Sequence, residues 1–321
     1  MHWLWWLIGI VLFLLFVVLA ISLVCFFRVF YSPSRKKLAD DEYEIPEGEI
    51  YEVFREDMKK WTFSIRAMPH EDVSITSFDG LTLRGRYFEY SKGAPMEILF
   101  HGYKGYGERD LSGGVERCFS LGRSALIVDH RASGNSDGHV ITFGIKERRD
   151  CLAWVDFAVK RFGKEVRIGI TGISMGGATV LMASAEPTLP ENVYFVLADC
   201  PYSSAREIIM KVCTDMGLPP KLAYPFIRLG AIIYGGFDPD ETSPMEAVKK
   251  SQLPTVFVHG DTDAFVPWEM SKRLYDACTS PLKKLITVKG AGHGLAYPVA
   301  RESYVNDLRE FDESIKDYNL I

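Results

Sequence analysis

The six cysteines (Cys25, Cys118, Cys151, Cys200, Cys213 and Cys278) contain no Cys-x-x-Cys pair and show no metal-ligand spacing. Scattered thiols exclude a disulfide framework and fit a reducing compartment. Excess positive charge is missing too. The formal net charge is −5, which leaves no nucleic-acid footprint. No Gly-x-x-x-x-Gly-Lys-Ser/Thr loop is present, so no P-loop nucleotide site is expected. No cluster suits a metal, and no cofactor is expected. What remains is ordinary globular composition, 47% hydrophobic and 25% charged over 321 residues. That length suits one large α/β domain with an appendage.

Lys and Arg are also absent ahead of the one long apolar run, Trp3 to Phe27. At about 1.5 Å per residue this run exceeds the roughly 30 Å hydrocarbon core of a bilayer. A cleaved signal peptide would carry positive charge before the run and small residues after it. Here Cys25-Phe26-Phe27-Arg28 follows, which favours a retained single-pass anchor over residues 1–30. Trp3, Trp5 and Trp6 suit one membrane interface, Phe30 and Tyr31 the other. Arg28, Arg35, Lys36 and Lys37 flank the C-terminal end. Positive-inside then places the main domain in the cytoplasm. A polar linker, 31–48, leads into the domain at 49–321.

The sequence centres on Val166-Arg167-Ile168-Gly169-Ile170-Thr171-Gly172-Ile173-Ser174-Met175-Gly176-Gly177. Apolar residues alternate as in a strand, a Gly-x-Ser-x-Gly turn follows, and small aliphatic residues then suit a helix. A serine there sits at the tip of a sharp turn, with helix N-terminal amides aimed at whatever it attacks. Glycines at 172 and 176 let strand and helix pass closely. A dinucleotide fingerprint would need glycine where Ser174 stands.

Around this centre, Glu49 to Trp61 has apolar residues at helical spacing and predicts a helix packed on the domain or the membrane surface. Val73–Phe78 and Leu81–Phe88 alternate about Asp79-Gly80, a hairpin signal. Strand-like runs then alternate with helical patterns: 96–100, 124–129, 166–171, 193–199, 254–259 and 284–289. This predicts a mostly parallel sheet, doubly wound, covered on both faces.

A leading hairpin, a parallel sheet and a central Gly-x-Ser-x-Gly resemble the α/β-hydrolase superfamily, from about Asp72 to the C-terminus. The general resemblance is to its cap-bearing esterases, monoglyceride lipases and serine aminopeptidases, whose motifs do not separate one substrate from another. The resemblance implies an α/β-hydrolase fold with a helical cap inserted at 200–252. Tyr202, Tyr224, Phe226, Tyr234 and Phe237 either line an acyl pocket there or form the cap's own core.

The resemblance further implies Ser174 as nucleophile, followed in the chain by an acid and then a histidine. His293, in the loop Gly290-Ala291-Gly292-His293-Gly294, matches the base. His259 reads as a strand-end residue. In Gly260-Asp261-Thr262-Asp263-Ala264-Phe265-Val266-Pro267, Asp263 matches the family's acid, and Asp199 is the alternative. The oxyanion donors are the amides of Met175 and of Tyr103, in His101-Gly102-Tyr103, with the Tyr103 ring near the pocket mouth. His101-Gly102 is otherwise a plain tight turn. The loop Asp129-His130-Arg131-Ala132-Ser133-Gly134-Asn135-Ser136 resembles a further family loop in which glycine stands at the position of Ala132. Alanine there predicts a backbone that avoids positive φ. Arg131 is expected to bond backbone carbonyls, and His130 and His139 to lie at the surface or in loops.

These readings imply a membrane-anchored serine hydrolase cleaving an ester, thioester or amide of an apolar, lipid-like acyl substrate. One alternative is an aminopeptidase-like enzyme that binds a free amine through Glu207 and Glu246. Another is a non-catalytic binding protein on the same fold.

Overall fold

A computed structural model describes residues 2–33, 39 and 41–318. The basic residues Arg35, Lys36 and Lys37 lie outside the described residues. The chain begins with α1 (His2–Val29), α2 (Glu49–Glu52) and α3 (Arg55–Ala67). Then come β1 (Glu71–Thr76), β2 (Thr82–Phe88), β3 (Met96–Phe100), α4 (Gly107–Ser120), β4 (Ser124–Val128), α5 (Glu147–Phe162), β5 (Ile168–Ile173), α6 (Met175–Ala183) and β6 (Val193–Asp199). Next are α7 (Ala205–Asp215), α8 (Pro220–Gly230) with a π-helical turn (Ala231–Gly235), and α9 (Pro244–Val248). β7 (Thr255–Gly260), α10 (Trp268–Ala277), β8 (Lys283–Val288), α11 (Ala296–Val299) and α12 (Arg301–Tyr318) complete it.

The strands form one eight-stranded sheet, ordered β1-β2-β4-β3-β5-β6-β7-β8. β1 and β2 form the antiparallel hairpin, with Thr76 opposite Thr82, and every pair from β4 to β8 is parallel. β3 and β4 are buried along their whole length, as strands covered on both faces must be. One core on the sheet gathers Phe100, Trp154, Val180 and Phe257, and another sets Phe195 and Val258 against α12. Beneath β3, the buried Glu97 carboxylate accepts from Arg117 at 2.5 Å and from the Thr171 hydroxyl at 2.7 Å, and it also pairs with Arg123. This fastens α4 to β3 and β5. Burial opposes the ionised form, but the two guanidiniums outweigh it and hold the carboxyl down at about 2.

The predicted helix over 49–61 is broken at Val53–Phe54 into α2 and α3. α2 packs on the domain through Tyr51, which turns over the sheet's C-terminal edge, while Ile50 and Val53 stay exposed. α1 differs along its length. Residues 2–16 are exposed, while Ser22, Phe26 and Phe30 are buried against α8 and the π turn. Phe30 is therefore not an interface aromatic. Its ring meets Phe143 and Phe237 edge-on, at 5.7 and 5.2 Å between centroids. Tyr31 forms a bridge to Val140.

The helices between β6 and β7 share a core with the C-terminal half of α1. Tyr202, Tyr224, Phe237 and half-buried Tyr234 belong to that core. Of the two roles open to the aromatic residues of 200–252, the structure realises the internal core for these four, while half-buried Phe226 lies outside that core.

Candidate active site

β5 ends at Ile173 and α6 begins at Met175, so Ser174 alone makes the turn. Its φ of 56° and ψ of −114° lie in a region that costs a non-glycine residue about 1–3 kcal/mol. Neighbouring contacts enforce that conformation. The Ser174 amide donates to the Asp199 carbonyl at 2.8 Å. A Cβ on Gly172 would overlap the Gly176 backbone, and one on Gly176 would overlap the carbonyls of Phe100 and His101. Lys104 and Cys200 beside the site also take positive φ.

The turn presents the Ser174 hydroxyl to His293, with Oγ 2.9 Å from Nε2. On the other side of the ring, Nδ1 lies 2.7 Å from Asp263 Oδ2. Asp263 Oδ1 accepts the amides of Phe265 and Val266, each at 2.9 Å. Burial works to raise the Asp263 carboxyl, but hydrogen bonds from His259 and His293 overcome it and hold the group well below the usual carboxylate range. Asp263 is thus ionised at neutral pH. A histidine between a hydroxyl and a fixed carboxylate has its Nδ1 protonated, leaving Nε2 free to accept the serine proton.

His259 was read from sequence as a strand-end residue, and the structure gives it more to do. It is fully buried, with Nδ1 2.6 Å from the Ser271 hydroxyl. Nε2 donates to the Val266 carbonyl at 2.8 Å and lies 3.2 Å from Asp263 Oδ2. It therefore braces the acid loop. The signal was present in His259-Gly260-Asp261-Thr262-Asp263, where i and i+4 side chains fold onto one another, but a strand reading hides it. The Cys200 thiol sits beside the Asp263–His293 pair. Burial pushes its pKa well up, so it stays a neutral thiol and a poor metal ligand.

Asp199, the alternative acid, points elsewhere. Its Oδ2 accepts the Tyr304 hydroxyl at 3.1 Å, and among the described residues Oδ1 has no partner. Burial pushes its pKa from 3.8 up to about 6. The unfolded chain ionises near pH ~4. Between these values the folded state holds the extra proton, so stability falls as pH rises through the window. Asp199→Asn is expected to raise stability by up to about 3 kcal/mol at pH 7.5 and to change it little at pH 4. Urea unfolding at the two pH values measures this.

Met175, fully buried, is the first residue of α6. The loop bearing Tyr103 lies against the serine, since a Cβ on Gly102 would sit 3.7 Å from Ser174 Cβ. Among the described residues neither the Met175 nor the Tyr103 amide has a hydrogen-bond acceptor. The Tyr103 ring packs on Phe143 at 5.1 Å, and its hydroxyl donates to the Val29 carbonyl of α1 at 2.6 Å. A hydrogen bond thus links the loop to the N-terminal helix, which no sequence motif announced.

Ser174 and His293 open onto a cavity of about 710 Å³. Its walls include Ile50, Tyr51, Met58, Trp61, Ile173 and Leu197. No residue of 200–252 lines it. The cover over the nucleophile is the segment around Pro46–Tyr51, where the sequence places a linker boundary. Tyr51 fastens this cover by donating its hydroxyl to the His293 carbonyl at 3.0 Å.

Two further expectations are corrected. Ala132 takes a φ of 59°, because the Ala132 amide must reach the Asp137 carbonyl at 2.9 Å. Arg131 bonds carboxylates instead of carbonyls: Asp150 at 2.7 Å and Asp79 at 2.8 Å. His130 lies in the loop after β4, as expected, and is buried there against Phe100 and His101, which lowers its pKa to about 4.

A family model described as X-Pro dipeptidyl-peptidase (S15 family) matches residues 30–211, more than half of the chain, and one described as serine hydrolase (FSH1) matches residues 168–295. The Bacillus subtilis protein YqkD is 29% identical over 198 residues, 61% of this chain and 64% of that protein, so the match spans under two thirds of this relative. Among solved structures, an esterase of Pyrococcus furiosus superimposes with a TM-score of 0.66 at 21% identity, covering 89% of this chain and 98% of its own. Est1E of Butyrivibrio proteoclasticus with ferulic acid gives 0.59 at 24% identity, covering 76% and 99%. At such identities these structures speak for the fold.

Proposed function

The chain belongs to the α/β-hydrolase serine hydrolases, in the family described as X-Pro dipeptidyl-peptidase (S15), and from this we propose a membrane-anchored enzyme that cleaves an ester, thioester or amide of an apolar acyl group. The observation that carries the reading is the series Ser174–His293–Asp263 at the mouth of a largely apolar cavity. Ser174 attacks the acyl carbonyl as His293 takes its proton. The amides of Met175 and Tyr103 receive the oxyanion, and Asp263 holds the imidazolium. His293 then protonates the leaving group, and water repeats the steps to free the acid. The apolar lining of Met58, Trp61, Leu197, Ile50 and Tyr51 supports an acyl group as the part of the substrate bound there.

Graded p-nitrophenyl acyl esters test the substrate class. Expected is kcat/KM rising with chain length until the cavity is filled, and a loss of that preference in Trp61→Ala. A profile that favours acetate would contradict the apolar pocket. The peptidase reading has the family description in its favour. The carboxylates assigned to bind its amine do not support it: Glu207 pairs with Arg273 and Glu246 with Lys249, both away from the cavity. Aminoacyl-arylamides in the same panel separate the two.

α1 is long and apolar enough to cross a bilayer. Retention of α1 is supported by Ser22, Phe26 and Phe30, whose removal would open the core they share with α8. With Arg28, Arg35, Lys36 and Lys37 on the cytoplasmic side, proteases added to intact cells should spare the domain. Its loss would reverse the orientation.

A further inference from the structure

α8 and the π turn make one continuous helical run, 220–235, against the C-terminal half of α1. Gly230 lies against Ser22 and Phe26, and the Tyr234 hydroxyl donates to the Leu19 carbonyl at 3.1 Å. Higher numbers on one helix meet lower numbers on the other, so the two run antiparallel. Close approach through glycine and serine is how helices pack in lipid. A second side of the run, with Tyr224, Ile227 and Ala231, is buried in the core shared with α7.

The third side faces outward and is apolar. Leu222, Pro225, Phe226, Leu229, Ile232 and Ile233 recur at three- and four-residue spacing. Leu222 is 65% exposed, Ile232 42% and Ile233 48%. The cations of the run are Lys221, at its start, and Arg228, whose charge is met by Asp238 at 2.7 Å.

The length of α1 says what covers this face. Its fully exposed part, residues 2–16, reaches about 22 Å at ~1.5 Å per residue. The hydrocarbon core is ~30 Å thick. The remaining ~8 Å needs about five more residues, to Ile21. That passes Leu19, where Tyr234 is bonded to α1. A bilayer that takes the whole apolar length of α1 must also take the end of the 220–235 run.

We propose that the C-terminal end of the outward face of 220–235 is immersed in the same bilayer as α1, with Ile232 and Ile233 just inside the near edge of the hydrocarbon, Leu229 at the headgroups and Leu222 beyond them. The proposal rests on the anchor reading above. It makes α1 and this run one lipid-facing surface. Through the Val29–Tyr103 hydrogen bond, that surface holds the loop beside Ser174 close to the membrane. Substrate then need not leave the membrane's vicinity to reach the cavity.

The test uses full-length protein with Cys25→Ser, reconstituted in phosphatidylcholine vesicles. An environment-sensitive fluorophore is placed on Ile233→Cys, Ile232→Cys, Leu222→Cys, Phe13→Cys or Lys164→Cys in turn. Lipids carrying a nitroxide at mid-chain, at the top of the acyl chain or at the headgroup quench it. Labels at 232 and 233 should be quenched most by the nitroxide at the top of the acyl chain, and the label at 13 most by the mid-chain nitroxide. The label at 222 should be quenched less than those at 232 and 233 by every lipid, and the label at 164 by none. Quenching at 13 without quenching at 232 or 233 overturns the proposal while the anchor stands. Absence of quenching at 13 overturns the anchor, and the proposal with it.

Discussion

Ser174→Ala is expected to lower kcat on acyl esters by a factor on the order of 10⁴ to 10⁶ and to leave the fold intact. The size follows from the site's geometry. The hydroxyl is 2.9 Å from His293 Nε2, and no other described hydroxyl is bonded to that nitrogen. Removing Oγ leaves the Met175 and Tyr103 amides and the cavity in place, so weak water-based hydrolysis survives. Stability should hold or rise slightly. The φ of 56° remains unfavourable for alanine, but the buried hydroxyl no longer needs a partner. Stopped ester assays alongside thermal unfolding measure both quantities. An unchanged kcat would remove Ser174 from the chemistry.

Asp263→Asn should cost nearly as much, about 10⁴-fold in kcat, with little change in the geometry of the site. Asp263 Oδ1 is already claimed by the amides of Phe265 and Val266. An asparagine would turn its carbonyl toward those amides and its NH₂ toward His293 Nδ1. A donor there forces Nδ1 to accept, which places the ring proton on Nε2, facing Ser174. The imidazole is then the wrong tautomer to take the serine proton. His259 adds to the conflict, since its Nε2 lies 3.2 Å from the same Asp263 oxygen. Raising the pH should not rescue this variant, because its defect is a misplaced proton. Rates recovered at alkaline pH to near the parent level would show that Asp263 does not set the tautomer.

The central strand–turn–helix was legible because glycine spacing and a serine in a tight turn leave few alternatives. The hairpin about Asp79-Gly80 was legible from its alternation and the parallel strands from their apolar runs, but not their order in the sheet, where β4 lies between β2 and β3. His293 and Asp263 were legible as partners through loop motifs, and the structure brings both to Ser174. What could not be read was contact across the chain. Nothing in Pro46–Tyr51 says that it will close over residues near 174 and 293, because a loop's docking depends on surfaces built elsewhere. The aromatic residues of 200–252 carry the same apolarity whether they line a cavity or fill their own core. The buried end of α1 supplies the partners, Phe26 and Phe30, that decide it. Ala132 shows the limit of local rules. Its bond to the Asp137 carbonyl accompanies a positive φ that alanine alone would avoid.

The measurement closest to the central claim is peptide mapping of the full-length protein after a fluorophosphonate probe. The account predicts one stoichiometric phosphonyl adduct, on Ser174, formed quickly in the parent and slowly in His293→Ala. An unmodified Ser174 in folded protein, or an adduct on another residue at the same rate, would contradict it.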